Sequence, residues 1–446
     1  MADLTKLGFI SVTEPKAGTD GRALQNRVRR MKYNPAYLLD DVKPRMIFDV
    51  PRGIAVLNGQ AVPDTGIITR SGAQKTVVGA DGVLTTVPAN TLAYDYSSGV
   101  RELVFEGQAT NSLRNSTMQG TVVGSPGTAP TYWDVAPSGT SGLTRQIVGF
   151  GTILGMPYID FRWFGTVSGA GGCTMYPEAS IVIAAASGDT WTHSVYLAIV
   201  GGSLANCLLT CGLTERSSTG SAIGVTTPAV VPGPALTRYA STLAFVNAST
   251  AYVGPVINLM PGTLGSYVDV TVRIAAPQLE KSPTATSYIP TSGAAVTRPA
   301  DIAPLWLTAG AATAWAWRGY ANNPGAWRDL LRASGGAYFQ NTAGTPAAAF
   351  LGGNSDDTGP NTASTGIPGV VGICGGWGAA GRIISMNGDV PRTNATPVNR
   401  ARTSMSIGHT LGLTNAHVLR IRELVAWQLP DRPSIAGCQA QARVWS

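Results

Sequence analysis

The sequence predicts an all-β protein: two β-sandwich domains, jelly-roll or concanavalin-like, in series after an extended N-terminal attachment region. Three observations carry that expectation. Gly and Pro are frequent, at 54 and 29 of 446 residues, while charged residues make up 13%. This mixture suits short strands joined by turns and not long helices, which want Ala, Leu, Glu and Lys together. Apolar and polar residues alternate with period two in many segments. Asn-Gly and Asp-Gly pairs, the residues of tight hairpins, punctuate them.

Residues 1–50 are the most charged stretch, with nine basic and six acidic residues. Arg22, Arg27, Arg29, Arg30 and Lys32 cluster in "GRALQNRVRRMKYNP". Little periodicity accompanies them, so the segment reads as a basic attachment arm, the plainer alternative being a solvated terminus. Residues 51–118 read as short strands, with hairpin turns at Asn58–Gly59 and Asp81–Gly82.

Residues 119–290 read as a β-sandwich or jelly roll. In "TWTHSVYLAIVGG", Trp191, His193, Val195 and Leu197 share one strand face, and Thr192, Ser194 and Tyr196 the other. From Gly201 to Ala276 only Glu215, Arg216, Arg238, Asp269 and Arg273 are charged. A surface so poor in charge is expected to be covered by self-association.

Residues 291–301 are a Pro-containing connector. The longer phrase around it, "PQLEKSPTATSYIPTSGAAVTRPAD", carries Pro277, Pro283, Pro290 and Pro299, which forbid a helix and favour an extended path. Residues 302–446 read as a second sandwich. A strand runs into the Asn387–Gly388 turn, and another places His417, Leu419, Ile421, Val425 and Trp427 on one face, interrupted by Glu423. A short helix is expected in "PSIAGCQAQARVW".

The net charge of +7 is spread thinly, so a nucleic-acid partner is not expected. The first residues lack the apolar core of a signal peptide. No apolar run reaches the roughly 18 residues of a membrane helix. A chain made in the cytoplasm, without membrane insertion, is the expectation. The five Cys form no CxxC pair, which points to free thiols instead of a disulfide framework.

Three stretches resemble a known group. "QLEKSPTATSYIPTSGAAVTRPAD", the block "ADGVL", "YDYSSG" and "LVFEGQATNSLRNS", and the closing "HVLRIRELVAWQLPDRPS" are similar to segments of bacteriophage tail-fibre, spike and minor structural proteins. The likeness spans roughly residues 65–440 and leaves residues 1–50 outside. The "TRSGAQKTVV" stretch departs from it, so nothing is carried over at Ser71–Val77. The resemblance implies a β-sandwich followed by a concanavalin- or laminin-G-like sandwich. It implies a virion protein, a homo-oligomer and commonly a trimer, attached to other virion proteins through the arm and facing host cell-surface polysaccharide. The alternative is a purely structural head-decoration or tail component.

The chemistry-bearing residues point the same way. Only His193, His409 and His417 are present, too few and too dispersed to define a triad or zinc site. "GWGAAG" at 376–381 matches a dinucleotide-binding pattern but precedes a strand, not a helix. Carboxylates for a glycan-cleaving pair are sparse: Asp160, Glu178, Asp269 and Asp356–Asp357, the last also suited to Ca²⁺. An enzyme is therefore not expected, and neither is a cofactor. Sugar rings stack on exposed aromatic faces. Trp327 and Trp377 stand in Gly-rich surroundings, and with Tyr338 they are the candidate glycan platform. Trp315 and Trp317, two apart on a strand, read as core.

Overall fold

The structure is a computed structural model. It describes residues 37–57, 60–61, 70, 73–135, 141–179, 181–301, 303–306, 314–322, 328–333, 337–341, 348–353, 361–363, 371–395, 404–407 and 418–442. The attachment cluster Arg22, Arg27, Arg29, Arg30 and Lys32 lies outside these residues. So do Trp327, His409, His417, Asp356–Asp357 and the Asn58–Gly59 turn. The regular structure among the described residues is strand apart from one helix, Ile435–Gln441. No helix among them is long and apolar enough to cross a membrane.

The middle of the chain forms a two-sheet sandwich. One antiparallel sheet has the order Thr144–Ile153, Met156–Thr166, Tyr267–Glu280, Thr190–Gly202, Thr237–Ala244. The facing sheet is built around Cys207–Ser217, Thr250–Pro261 and Cys173–Tyr176. Period-two alternation makes this possible, because each long strand sends every second side chain inward. Ile159, Phe161 and Trp163 meet Val268, Val270, Val272, Ile274, Leu209 and Leu259 in one core. Phe161 stacks on Trp163 with ring centroids 5.4 Å apart.

The second unit is divided along the chain differently from the sequence expectation. Its larger sheet runs Gln60–Ala61, Ile54–Leu57, Met46–Asp49, Val418–Trp427, Ala314–Asn322, Val371–Gly378, Gly381–Met386, Arg392–Asn394. Strand Glu102–Glu106 also pairs with Val418–Trp427. The first described strands are therefore inside the C-terminal sheet, not in an arm or a separate N-terminal region. Met46, Ile47 and Phe48 are buried there. Trp427 Nε1 donates to Tyr37 O at 2.8 Å, and Gln441 Nε2 to Leu38 O at 2.8 Å. An arm that ends at residue 50 is thus too long, since residues 37–50 carry apolar side chains that this core buries. A six-stranded sheet, Ala303–Trp306 to Asn361–Ala363, completes the unit. The Asn387–Gly388 turn has both residues at positive φ, 53° and 79°, the geometry of a tight hairpin. The helix forms where expected, capped by Ser434 accepting from Gly437 N.

It follows that the sandwich of the middle segment is inserted into the chain of the terminal unit. Its two connections run side by side: Ala109–Asn111 pairs antiparallel with Val296–Arg298. The phrase read as a connector is more than a joint. It is welded to "EGQATNSLRNST" by buried polar groups. Asn111 Nδ2 donates to Ile289 O at 2.8 Å while its Oδ1 accepts from Leu279 N at 3.1 Å. Ser116 N donates to Thr291 Oγ1 at 2.9 Å, and Thr291 N returns to Ser116 Oγ at 2.8 Å. The Tyr288 hydroxyl lies 2.8 Å from Ser116 Oγ.

At the base of this clasp is an ion cluster. Asp301 accepts from Arg70 Nε at 2.5 Å, Lys75 Nζ at 2.7 Å and Glu106 N at 2.9 Å. Glu106 accepts from Ser287 N at 2.8 Å and from the Ser287 hydroxyl, and lies 3.1 Å from Lys75 Nζ. Burial opposes ionisation of both carboxyls. Lys75 and Arg298 outweigh it at Glu106, and Lys75, Arg70 and Arg298 at Asp301, so both sit below the usual carboxylate range.

Candidate functional site

The five-stranded sheet of the inserted sandwich has an outward face with polar groups in fixed positions. On Met156–Thr166 the residues between the core positions are Tyr158, Asp160, Arg162 and Phe164. On Tyr267–Glu280 they are Tyr267, Asp269, Thr271 and Arg273. The register sets Asp160 opposite Arg273 and Arg162 opposite Thr271. Two bidentate pairs result. Arg273 donates through Nε and Nη2 to Asp160, both at 2.8 Å. Arg162 donates through Nε and Nη2 to Asp269 at 2.8 and 2.7 Å. Each guanidinium also lies over an aromatic ring, Arg162 over Phe164 at 4.5 Å and Arg273 over Tyr158 at 4.0 Å. Paired and stacked in this way, the side chains have lost most of their rotamer freedom before any ligand arrives.

The two ends of the face differ. At one end Tyr158 and Tyr196 pack with Met156, Ala275, Tyr288 and Leu84, which closes it. At the other, Arg162 and Asp269 are each 35% exposed and Tyr267 is 59% exposed. The rows beside the ion pairs are small. A Cβ at Gly149 would lie 3.3 Å from Asp160 Oδ2, and one at Gly201 would lie 3.1 Å from Thr271 Oγ1. Glycine at both positions leaves room for Asp160 and Thr271, which are themselves buried at 6% and 9%, so the exposed part of the ridge is the Arg162–Asp269 end. The hydrogen bonds to Asp269 hold its carboxyl below the usual range. The ridge therefore offers carboxylate lone pairs, guanidinium N–H groups and ring faces at neutral pH. Vicinal hydroxyls are recognised by that combination.

The residues singled out in the sequence fall elsewhere. Trp377 is buried, 3% exposed, in strand Val371–Gly378. So buried, its ring presents no exposed stacking surface. Tyr338 is opposite Arg332 and Gly352 in the six-stranded sheet. The candidate platform is thus not assembled from Trp377. Trp315 and Trp317 are buried at 1% and 3%, as core residues should be. The "GWGAAG" stretch closes a hairpin, Trp377 pairing with Arg382 and Gly378 with Gly381.

His193 is buried, with Nδ1 3.0 Å from Gly212 O, and burial pulls its pKa down to about 4. It is a neutral structural histidine. Of the candidate catalytic carboxylates, the three among the described residues are all in ion pairs: Asp160 with Arg273, Asp269 with Arg162, and Glu178 with Arg114 at 2.6 Å. All five thiols are free, and burial pushes Cys207 up to about 11 and Cys211 to about 12. Among the described residues no three His, Cys, Asp or Glu side chains come together to hold a metal.

The outward ridge was missed in the sequence, although a signal existed. "YIDFRWF" places Asp and Arg two apart on a strand face, and "YVDVTVRI" places them four apart on another. Complementary charges on the outer faces of two alternating strands are the mark of cross-strand pairs.

No family model matches the chain, and no curated protein matches it. Seven solved chains are similar to it in structure. One, described as "CBM4 structure and function", has a TM-score of 0.25 and 14% identity, over 38% of this chain and 99% of that one. Another is the N-terminal CBM22-1-CBM22-2 tandem domain from Paenibacillus barcinonensis Xyn10C. Its TM-score is 0.23 with 10% identity, over 72% of this chain and 98% of that one. Both are weak likenesses, to β-sandwich carbohydrate-binding modules.

Proposed function

We propose that this chain is a virion structural protein of a phage-type particle, an oligomeric fibre or spike that binds host-surface glycan without cleaving it. The observation that carries the glycan part is the open end of the outward ridge. There Arg162 and Asp269 are held in a bidentate pair yet remain 35% exposed. They lie beside Phe164 and the exposed Tyr267. The virion part rests on the likeness of the clasp phrases to phage fibre and spike proteins. Attachment to other virion proteins is assigned to the N-terminal basic cluster Arg22, Arg27, Arg29, Arg30 and Lys32, and trimer assembly follows the same resemblance. Weak sugar contacts on each copy would add through avidity.

Binding without cleavage is supported by the ridge chemistry. Asp160 and Asp269 are each taken up in a bidentate pair with arginine, whereas a glycosidase needs one carboxylic acid with a raised pKa. A second reading, a purely structural particle component, is favoured by one observation. Val122, Val123, Val148 and Phe150 are all exposed, at 55%, 51%, 41% and 48%, on or next to the edge strand Thr144–Ile153. A neighbouring subunit would cover them.

The test is binding of the full-length assembled protein to a glycan array and to whole host cells. Arg162→Ala and Phe164→Ala are compared with wild type, with oligomeric state measured by light scattering. At least a tenfold loss of binding with an unchanged oligomer supports the reading. Equal binding by both variants removes the ridge as the site. No binding by an assembled wild type leaves the structural reading. Release of reducing ends would overturn the assignment as a non-enzyme.

A further inference from the structure

We propose that the clasp is completed by one small inorganic anion, of the halide class, bound to Arg298. Arg298 is 3% exposed, and its Nε, Nη1 and Nη2 have no hydrogen-bond acceptor among the described residues. Its nearest carboxylate is Glu106. Nη2 lies 3.0 Å from Glu106 Oε2, within ion-pair range but without a hydrogen bond along an N–H. That oxygen already serves Lys75 Nζ and the Ser287 hydroxyl.

The charges do not balance. Arg70, Lys75 and Arg298 are buried against only two carboxylates, Glu106 and Asp301. The adjoining group does not supply the missing charge. Asp95 and Glu102 are matched there by Arg420 and Arg422. Among the described residues of this cluster, one positive charge is in excess. Arginine cannot shed it by deprotonation. A buried unmatched cation with several unmade N–H bonds is among the costliest arrangements a fold can hold.

A monovalent anion seated on the guanidinium edge removes both defects at once. It supplies the missing charge and accepts from several of the unpartnered N–H groups. A halide suits the place because it is compact and needs no directed lone pairs. The site is remote from the outward ridge in chemistry and does not depend on the glycan reading. Its consequence would be a clasp whose strength depends on which anion is present, not on ionic strength alone.

The experiment is a thermal melt of the full-length protein at constant ionic strength, replacing sodium gluconate stepwise by sodium chloride. The expected result is a constant midpoint while chloride is well below its Kd, then a rise of about 1.5 °C for each tenfold increase above it. Arg298→Met should abolish that response. A wild type with the same midpoint in gluconate and chloride overturns the proposal. So does an Arg298→Met variant that keeps the response. Should the variant fail to fold, crystals of the wild type grown in sodium bromide decide. An anomalous peak within hydrogen-bond distance of Arg298 supports the site, and its absence refutes it.

Discussion

Asp301→Asn is the sharpest test of the clasp. The wild-type carboxylate accepts from Arg70 Nε at 2.5 Å, Lys75 Nζ at 2.7 Å and Glu106 N at 2.9 Å. The amide is nearly the same shape, so no cavity is made. It retains one acceptor and turns the other oxygen into a donor. That donor must face either the Arg70 guanidinium or the Lys75 ammonium and the Glu106 N–H. The variant also leaves three buried cations with one carboxylate. Removing one partner of a buried ion pair costs about 3–5 kcal/mol. The Glu106 amide reports the opening directly, because its hydrogen bond ends on Asp301. Its hydrogen exchange should accelerate by about 10²-fold or more. The sign of the pH dependence also follows. Asp301 and Glu106 both have depressed folded-state pKa values. Their stabilisation is complete above the ordinary carboxylate range of about 4 and is lost as pH falls through the folded values. The contribution of these two carboxyls to protection at Glu106 should therefore be level from pH 5 to 8 and weaken only in stronger acid. An acceleration under tenfold in Asp301→Asn, with the sheet signal intact by circular dichroism, would refute the reasoning.

Three further outcomes are expected. Glu423 lies opposite Asp49, and burial, then Asp49, pushes its pKa up to about 7. The folded state keeps a proton that the unfolded state releases near 4. Stability from this group thus falls between about pH 4 and 7, and Glu423→Gln should raise stability at pH 8 by roughly 3 kcal/mol while flattening that slope in melts at several pH values. Ser434 caps the terminal helix and also bonds Asp40, its N donating to Asp40 Oδ2 at 2.7 Å. Ser434→Ala should cost about 1 kcal/mol or somewhat more by chemical denaturation. Trp377→Ala empties a buried site and should cost about 3–5 kcal/mol, so any loss of cell binding should track loss of folded protein instead of appearing at full stability.

The fold class was legible because alternation and turn chemistry are local. "GRIISMNGDVPR" needs no partner to announce a strand and a hairpin. The assignment of strands to units was not. "MIFDV" reads as a strand anywhere, and only its pairing with Val418–Trp427, some 370 residues away, decides its sheet. The Pro-rich phrase was legible as a fixed unit, but its Gln, Ser and Thr residues look like loop. They are buried because a second polar segment, about 170 residues earlier, supplies their partners. Trp377 was misjudged for a related reason. The glycines around it suggested an exposed turn, whereas Gly378 is required by close packing, since a Cβ there would lie 2.0 Å from Asp431 Oδ1. The outward ridge escaped notice because paired Asp and Arg residues on alternating strands resemble any solvated sheet face until their register is known.

The side-by-side connections of the inserted sandwich have a mechanical consequence. The chain enters the sandwich through Ala109–Asn111 and leaves it through Val296–Arg298, and these strands are paired antiparallel. A pull on the sandwich away from the terminal unit draws both strands in one direction. It does not slide one past the other, so the bonds between them are spared. The tension passes instead to Glu106, where one strand joins the terminal sheet, and to Asp301, just before the other reaches its sheet at Ala303. These two residues share the ion cluster. A tether loaded in this way behaves as a two-legged strap with its fastening at the foot. Its working strength is set there, by a few buried charges, and not by the length of the strap.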